Sequence, residues 1–149
     1  PKVREEFYKL ITKNPLIQWG IGIVSEKIVD KINIKNAAEL AMERALKQLK
    51  QKPDFLIIDG NSLKNHQLKT INYKLIIKAD EKVFSCAAAS ILAKVARDKI
   101  MGKYHKKYPQ YRFDRHKGYP TKLHYLMIGK HGPCKIHRKS FRLIKDLQE

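Results

Sequence analysis

Apolar and polar residues follow two rhythms along this chain. Val3, Phe7, Leu10 and Ile11 recur at helical spacing and predict a first helix over residues 3–13, which Asn14-Pro15 ends. Ile17, Trp19, Ile21 and Ile23 then alternate with Gln18, Gly20, Gly22 and Val24, the period of a strand. Two glycines on one face of it predict a closely packed neighbour. Residues 25–34 fit a short helix and a turn. Asn36-Ala37-Ala38-Glu39 has the form of a capping box and opens a helix to about Lys50, with Ala37, Leu40, Ala41, Ala45, Leu46 and Leu49 as its buried face.

Pro53-Asp54 stops that helix, and the apolar run Phe55-Leu56-Ile57-Ile58 begins a strand that ends on Asp59. A polar loop leads to a second strand, about residues 73–78, which is followed by Asp80. The helix to about Lys50, lying between the expected strand at 17–24 and the strand at 55–58 with short connections, is a crossover and argues for parallel neighbours. Parallel strands ending this way place both carboxylates at one sheet edge, where α/β proteins bind ligands. Ser85 is the expected N-cap of a long helix over residues 86–108, with an apolar stripe of Ala88, Leu92, Ala96, Ile100 and Tyr104 supported by Ile91 and Val95. Pro109 closes it. Residues 110–120 read as an irregular loop rich in Arg, Lys, His and Tyr. Thr121 caps a short helix to about Lys130, with Leu123, Leu126 and Met127 inward, and Gly132-Pro133 ends it before the basic tail KIHRKSFRLIK.

Composition adds a partner to this α/β pattern. The 149 residues suit one domain with a single core. The net charge of +18 is spread along the whole chain and points to a polyanion, nucleic acid above all. No apolar run approaches a membrane span, and no signal-peptide pattern is present, so a cytoplasmic protein with no membrane partner is expected. Cys86 and Cys134, far apart, are expected as reduced thiols.

Against that basic background the acids stand out. Asp59 is the first candidate, although Asp-Gly is also plain turn chemistry. Asp80 is the second, with a surface ion pair to flanking Lys78 or Lys82 as its alternative. Two carboxylates under a basic surface suit Mg²⁺ or Mn²⁺ bound against phosphates, the arrangement that drives in-line displacement at phosphorus. Asp98 reads instead as an i,i+4 partner of Lys94. Lys94, Arg97 and Lys117 are candidate phosphate contacts. Tyr119, between Gly118 and Pro120, either stacks on a sugar or base or anchors its loop to the core. His116, His124, His131, Cys134 and His137 fit no standard zinc spacing, and Ser90 has no positioned base, so neither zinc nor a serine nucleophile is expected.

Several ordered segments carry a resemblance. IDGN at Ile58–Asn61, IIKAD at Ile76–Asp80, AAASILAKVARDKIM at Ala87–Met101, YPQYRFDRHKGYPT at Tyr108–Thr121 and GPCKIHRKSF at Gly132–Phe141 together resemble ribonuclease HII across nearly the whole chain. The resemblance implies an RNase H-like mixed α/β sheet flanked by helices with a helical C-terminal part. It also implies endonucleolytic cleavage of RNA in RNA–DNA hybrids and at single ribonucleotides in duplex DNA, by a monomer using two Mn²⁺ or Mg²⁺ ions held by four carboxylates. Asp59 and Asp80 match the third and fourth of these, and Tyr119 matches the tyrosine that stacks on the ribose at the RNA–DNA junction. The first two belong to an Asp-Glu-Ala-Gly-Arg-Gly motif that this sequence does not contain. The chain, residues 1–149, is therefore expected to be an incomplete catalytic domain whose sheet lacks its leading strands and whose own activity is weak or absent. The competing expectation is a non-catalytic basic nucleic-acid-binding domain.

Overall fold

The computed structural model describes residues 2–140. The basic tail therefore lies partly outside the described residues. The chain divides into two compact units, Pro1–Val95 and Ala96–Glu149, with the division inside one long helix. None of the helices among the described residues is long and apolar enough to cross a membrane.

The first unit opens with helix α1 (Lys2–Lys13), as its apolar spacing predicts. The alternating segment from Ile17 to Ile23 is extended but is not a strand, because it has no strand to pair with among the described residues. Helix α2 (Glu26–Leu46) supplies the missing partners instead. The Gln48 amide, just past its end, accepts from Ile21 N–H (3.2 Å) and donates to Ile21 C=O (2.8 Å), and Arg44 donates to Ile23 C=O. The glycines have the close neighbour their pattern predicts: a Cβ on Gly20 would run into the Ala45 carbonyl, and one on Gly22 into the Ala41 carbonyl. Two helical segments meet in α2 at Asn33, whose backbone is left-handed (φ 64°). The Asn33 side chain accepts from Lys35 N–H (3.0 Å) and Asn36 N–H (3.1 Å), so the helix cap lies at Asn33 and not at Asn36.

Strands β1 (Phe55–Asp59) and β2 (Asn72–Ile76) are parallel, with Phe55 opposite Asn72 and Asp59 opposite Ile76. Ile58, Leu63 and Leu68 form a buried cluster that Met42, Leu46, Leu56 and Leu75 pack against. Alternation sends Phe55 and Ile57 to the opposite face, where both are exposed, and Asp59 shares that face. This mixed α/β arrangement, with two strands among the described residues and helices dominating the later part, is an RNase H-like fold.

Past β2, Lys78 turns the chain through a left-handed residue (φ 56°) into the single-turn helix α3 (Ala79–Lys82). The long helix α4 (Phe84–Lys107) follows. Its first turn begins before Ser85, so Ser85 lies inside the helix and is not its N-cap. Leu92 and Val95 are its most buried residues.

In the second unit, residues 110–120 are more ordered than an irregular loop. A 3₁₀ turn (Pro109–Tyr111) leads into a short helix α5 (Phe113–His116), and Tyr111, Phe113 and His116 are buried. Stacking of Tyr111 on Phe113 at 5.4 Å makes this aromatic pair the core of the unit. Helix α6 (Lys122–His131) is capped as expected, with Thr121 Oγ1 accepting from His124 N–H at 3.2 Å. Its buried face is His124 and Ile128, whereas Leu126 is 64% exposed. The face is rotated because the imidazole, not Leu126, meets the aromatic core.

Candidate active site

Asp59 is exposed at the C-terminal end of β1, and its Oδ1 accepts from Ala79 N–H at 3.0 Å. That bond ties the end of one strand to the first residue of α3, so the next residue, Asp80, is held at the same edge. Asp80 does not end a strand, as its place after an apolar run suggested. It sits in the first turn of α3, because β2 stops at Ile76 and the left-handed Lys78 turns the chain into a helix. Its ion-pair partner is Lys94, with Nζ 3.9 Å from Oδ2. The flanking lysines are engaged elsewhere: Lys78 lies 3.5 Å from Glu81, and Lys82 donates to Ile77 C=O at 2.9 Å.

Cys86 reports on both acids. Its thiol lies 3.6 Å from Ile57 C=O, and its pKa is raised, by burial first; a hydrogen bond with Ser85 works against the rise, and the negative charges of Asp59 and Asp80 add smaller contributions to it. Among the described residues, no group of three or more His, Cys, Asp or Glu is gathered to hold a metal. Two hard carboxylates at an exposed edge still suit Mg²⁺ or Mn²⁺, since Mg²⁺ takes one or two protein carboxylates and fills its octahedron with water and phosphate oxygens.

The second unit presents Tyr119. Arg97, on α4, donates to Lys117 C=O at 3.2 Å, and its guanidinium carbon lies 4.7 Å from the centre of the Tyr119 ring. Lys117 and Gly118 both have positive φ (51° and 75°), which swings Tyr119 outward. A Cβ on Gly118 would stand 3.2 Å from Met101 Cε, so a larger residue would press on α4 as well as strain the turn. Tyr119 itself is about half exposed. Arg97 thus props the tyrosine from beneath.

Two comparisons decide the family. The family model described as ribonuclease HII matches residues 1–144. The chain belongs to the ribonuclease HII family. It is 45% identical over 141 residues to the ribonuclease HII of Caldicellulosiruptor bescii, covering 95% of this chain and 66% of that protein. Against the ribonuclease HII of Christiangramia forsetii it is 49% identical over 140 residues, covering 94% of this chain and 70% of the relative. The chain spans about two thirds of the length of the curated relatives it matches. The crystal structure of ribonuclease H2 from Pyrococcus horikoshii superposes with a TM-score of 0.77 over 99% of this chain and 76% of that one, at 20% identity, and so shares the fold.

Two features of the chain take a part that the sequence did not indicate. Glu39 is buried, and its carboxylate accepts from Lys64 N–H (2.9 Å) and Asn65 N–H (2.7 Å), bracing the loop that follows Asp59. In the sequence it served as a capping-box residue, and nothing local marks a partner 25 positions away. The second feature is the imidazole cluster. His116, His124 and His137 do converge, together with Cys134, around Phe113.

Proposed function

We propose that this chain carries Asp59 and Asp80 as metal-holding carboxylates of an endonuclease that cleaves the RNA strand of RNA–DNA hybrids and single ribonucleotides in duplex DNA. The observation that supports it most directly is the Asp59–Ala79 hydrogen bond, which brings both acids to one exposed edge in a chain of net charge +18. When bound there, Mg²⁺ or Mn²⁺ would supply an activated water and neutralise charge building on the leaving oxygen. The chain's own residues orient the substrate. Asp59, fixed by Ala79 N–H, offers a carboxylate of set direction. Lys94 balances Asp80 in the absence of substrate and takes up a phosphate when one arrives. Arg97 and Lys117 contact further phosphates, and Tyr119 stacks on the sugar at the RNA–DNA junction.

The test is metal-dependent nicking of a duplex carrying one ribonucleotide, using the complete gene product. Asp59→Asn keeps an oxygen for Ala79 N–H, so the fold should survive while the rate falls about 100-fold or more. An Asp59→Asn protein that nicks at the parental rate would sink the proposal. A second reading, a non-catalytic nucleic-acid-binding domain, draws on the lack of a three-donor group among the described residues. It predicts salt-sensitive binding with no cleavage, and unchanged affinity in Asp59→Asn. Residues 1–149 alone are expected to cleave weakly or not at all.

A further inference from the structure

The imidazole cluster has a direction, and that direction ends at Tyr119. A carbonyl oxygen only accepts, so His124 Nδ1, 3.0 Å from Tyr119 C=O, carries a proton. In a neutral ring Nε2 is then a lone pair. It faces His137 Nε2 at 3.2 Å, which must be the donor. His137 Nδ1 is left as an acceptor; it takes the Cys134 N–H at 2.9 Å and lies 3.1 Å from Cys134 Sγ. Burial pushes that thiol's pKa up, so it keeps its proton. A single run of donors therefore leads from Cys134 through His137 and His124 to the Tyr119 carbonyl.

His116 completes the bracket. It donates from Nε2 to Tyr111 C=O (2.8 Å) and accepts from Gly118 N–H at Nδ1 (3.1 Å), and it stacks on His124 with centroids 4.2 Å apart. One imidazole grips the N–H of Gly118 and the next grips the C=O of Tyr119. Desolvation, with the neighbouring imidazoles, holds His124 down to about 4, which keeps its tautomer neutral.

We propose that His124, fixed in tautomer by His137 and Cys134, is a positioning residue that sets the backbone of Tyr119 and hence the angle at which its ring meets a sugar. This rests on the reading of Tyr119 given above, and it assigns no contact between the imidazoles and substrate. The effect on recognition would be indirect, through the ring that Arg97 also contacts.

Two measurements test it. Long-range ¹⁵N NMR of the imidazoles near neutral pH should show Nδ1–H for His124 and Nε2–H for His137 and His116. A His124 that is Nε2–H or charged would overturn the relay outright, with no variant needed. The second compares equilibrium binding of a duplex with one ribonucleotide and an all-DNA duplex of the same sequence. Tyr119→Ala should lower the ribonucleotide preference about tenfold, the scale of one lost stacking contact. His124→Phe and His124→Gln, which remove the imidazole donor and leave the Tyr119 carbonyl only the Thr121 N–H at 2.8 Å, should lower the preference similarly and leave all-DNA binding within about twofold. His124→Asn, whose amide N–H replaces Nδ1–H, should restore most of it. If Tyr119→Ala leaves the preference intact, the reading of Tyr119 fails and the positioning role falls with it. If Tyr119→Ala abolishes the preference but folded His124→Phe and His124→Gln retain it, the positioning role alone fails.

Discussion

Asp59 and Tyr119 are both exposed, but they are held in place differently. Asp59 stands at the end of a strand whose outer face is open, and one backbone N–H from Ala79 orients its carboxylate. Tyr119 projects from a turn whose backbone is fixed by His116 and His124, with Arg97 beneath the ring and the fully buried Phe113 behind the imidazoles. The acidic edge is therefore lightly built, whereas the tyrosine turn is heavily determined. The role proposed for Asp59, admitting a metal and a phosphate, benefits from an open coordination sphere. The role proposed for Tyr119, meeting a sugar at one angle, benefits from rigidity.

Substitutions can separate these two designs. The largest effect belongs to the second unit: Phe113→Ala should cost about 3–5 kcal/mol of stability, read by denaturant unfolding, because the aromatic core collapses around it. Asp59→Asn should do the reverse, removing at least about 100-fold of cleavage with an unchanged unfolding midpoint. Equal stability losses in the two variants would erase the contrast.

Acidification should act on the imidazole core. The His124 pKa is depressed when folded, from 6.5 to about 4, by burial first. The unfolded chain therefore binds more protons between those values. Stability is complete above about pH 6.5 and falls as pH drops toward about 4, by of order 2–3 kcal/mol. His137, shifted the same way by burial, adds to the trend. Thermal melts across that window should show it in the parent and a weaker slope in His124→Asn. Smallest is Glu39→Gln, which keeps one oxygen for the Lys64 and Asn65 amides but loses charge. It should cost about 1–2 kcal/mol, with hydrogen exchange at those two amides accelerated first.

Much of the acidic edge was legible because its information is local. Asp59 follows four apolar residues directly, and two strands could be drawn from the apolar runs of residues 55–80, although the crossover argument for parallel neighbours attached to the segment at 17–24, which forms no strand. Asp80 was placed at the right edge but on the wrong element, because the left-handed turn at Lys78 is not encoded by a glycine. The second unit was less legible. In the sequence His124 is one of a histidine set without zinc spacing and Leu126 reads as core, since an amphipathic count ranks Leu above His. Phe113 reverses that order by offering His124 a ring face, while the Tyr119 carbonyl takes the imidazole N–H. The segment from Ile17 to Ile23 shows the opposite failure. Its alternation is real, but alternation cannot say whether the partner is a strand or, as here, side chains of Arg44 and Gln48.

The left-handed corners at Lys78, Arg112 and Lys117 have an evolutionary consequence. Each places a side-chain-bearing residue where glycine would be more comfortable, at a cost of order 1 kcal/mol. Lys78 leads into Asp80, and Arg112 and Lys117 bound the short helix before Tyr119. A drift to glycine at any of them would relieve that strain while removing a cation and adding slack to the corner. A lineage selected for thermal tolerance alone would be drawn toward glycine here, whereas one selected for grip on a polyanion would keep the bulky, charged corners.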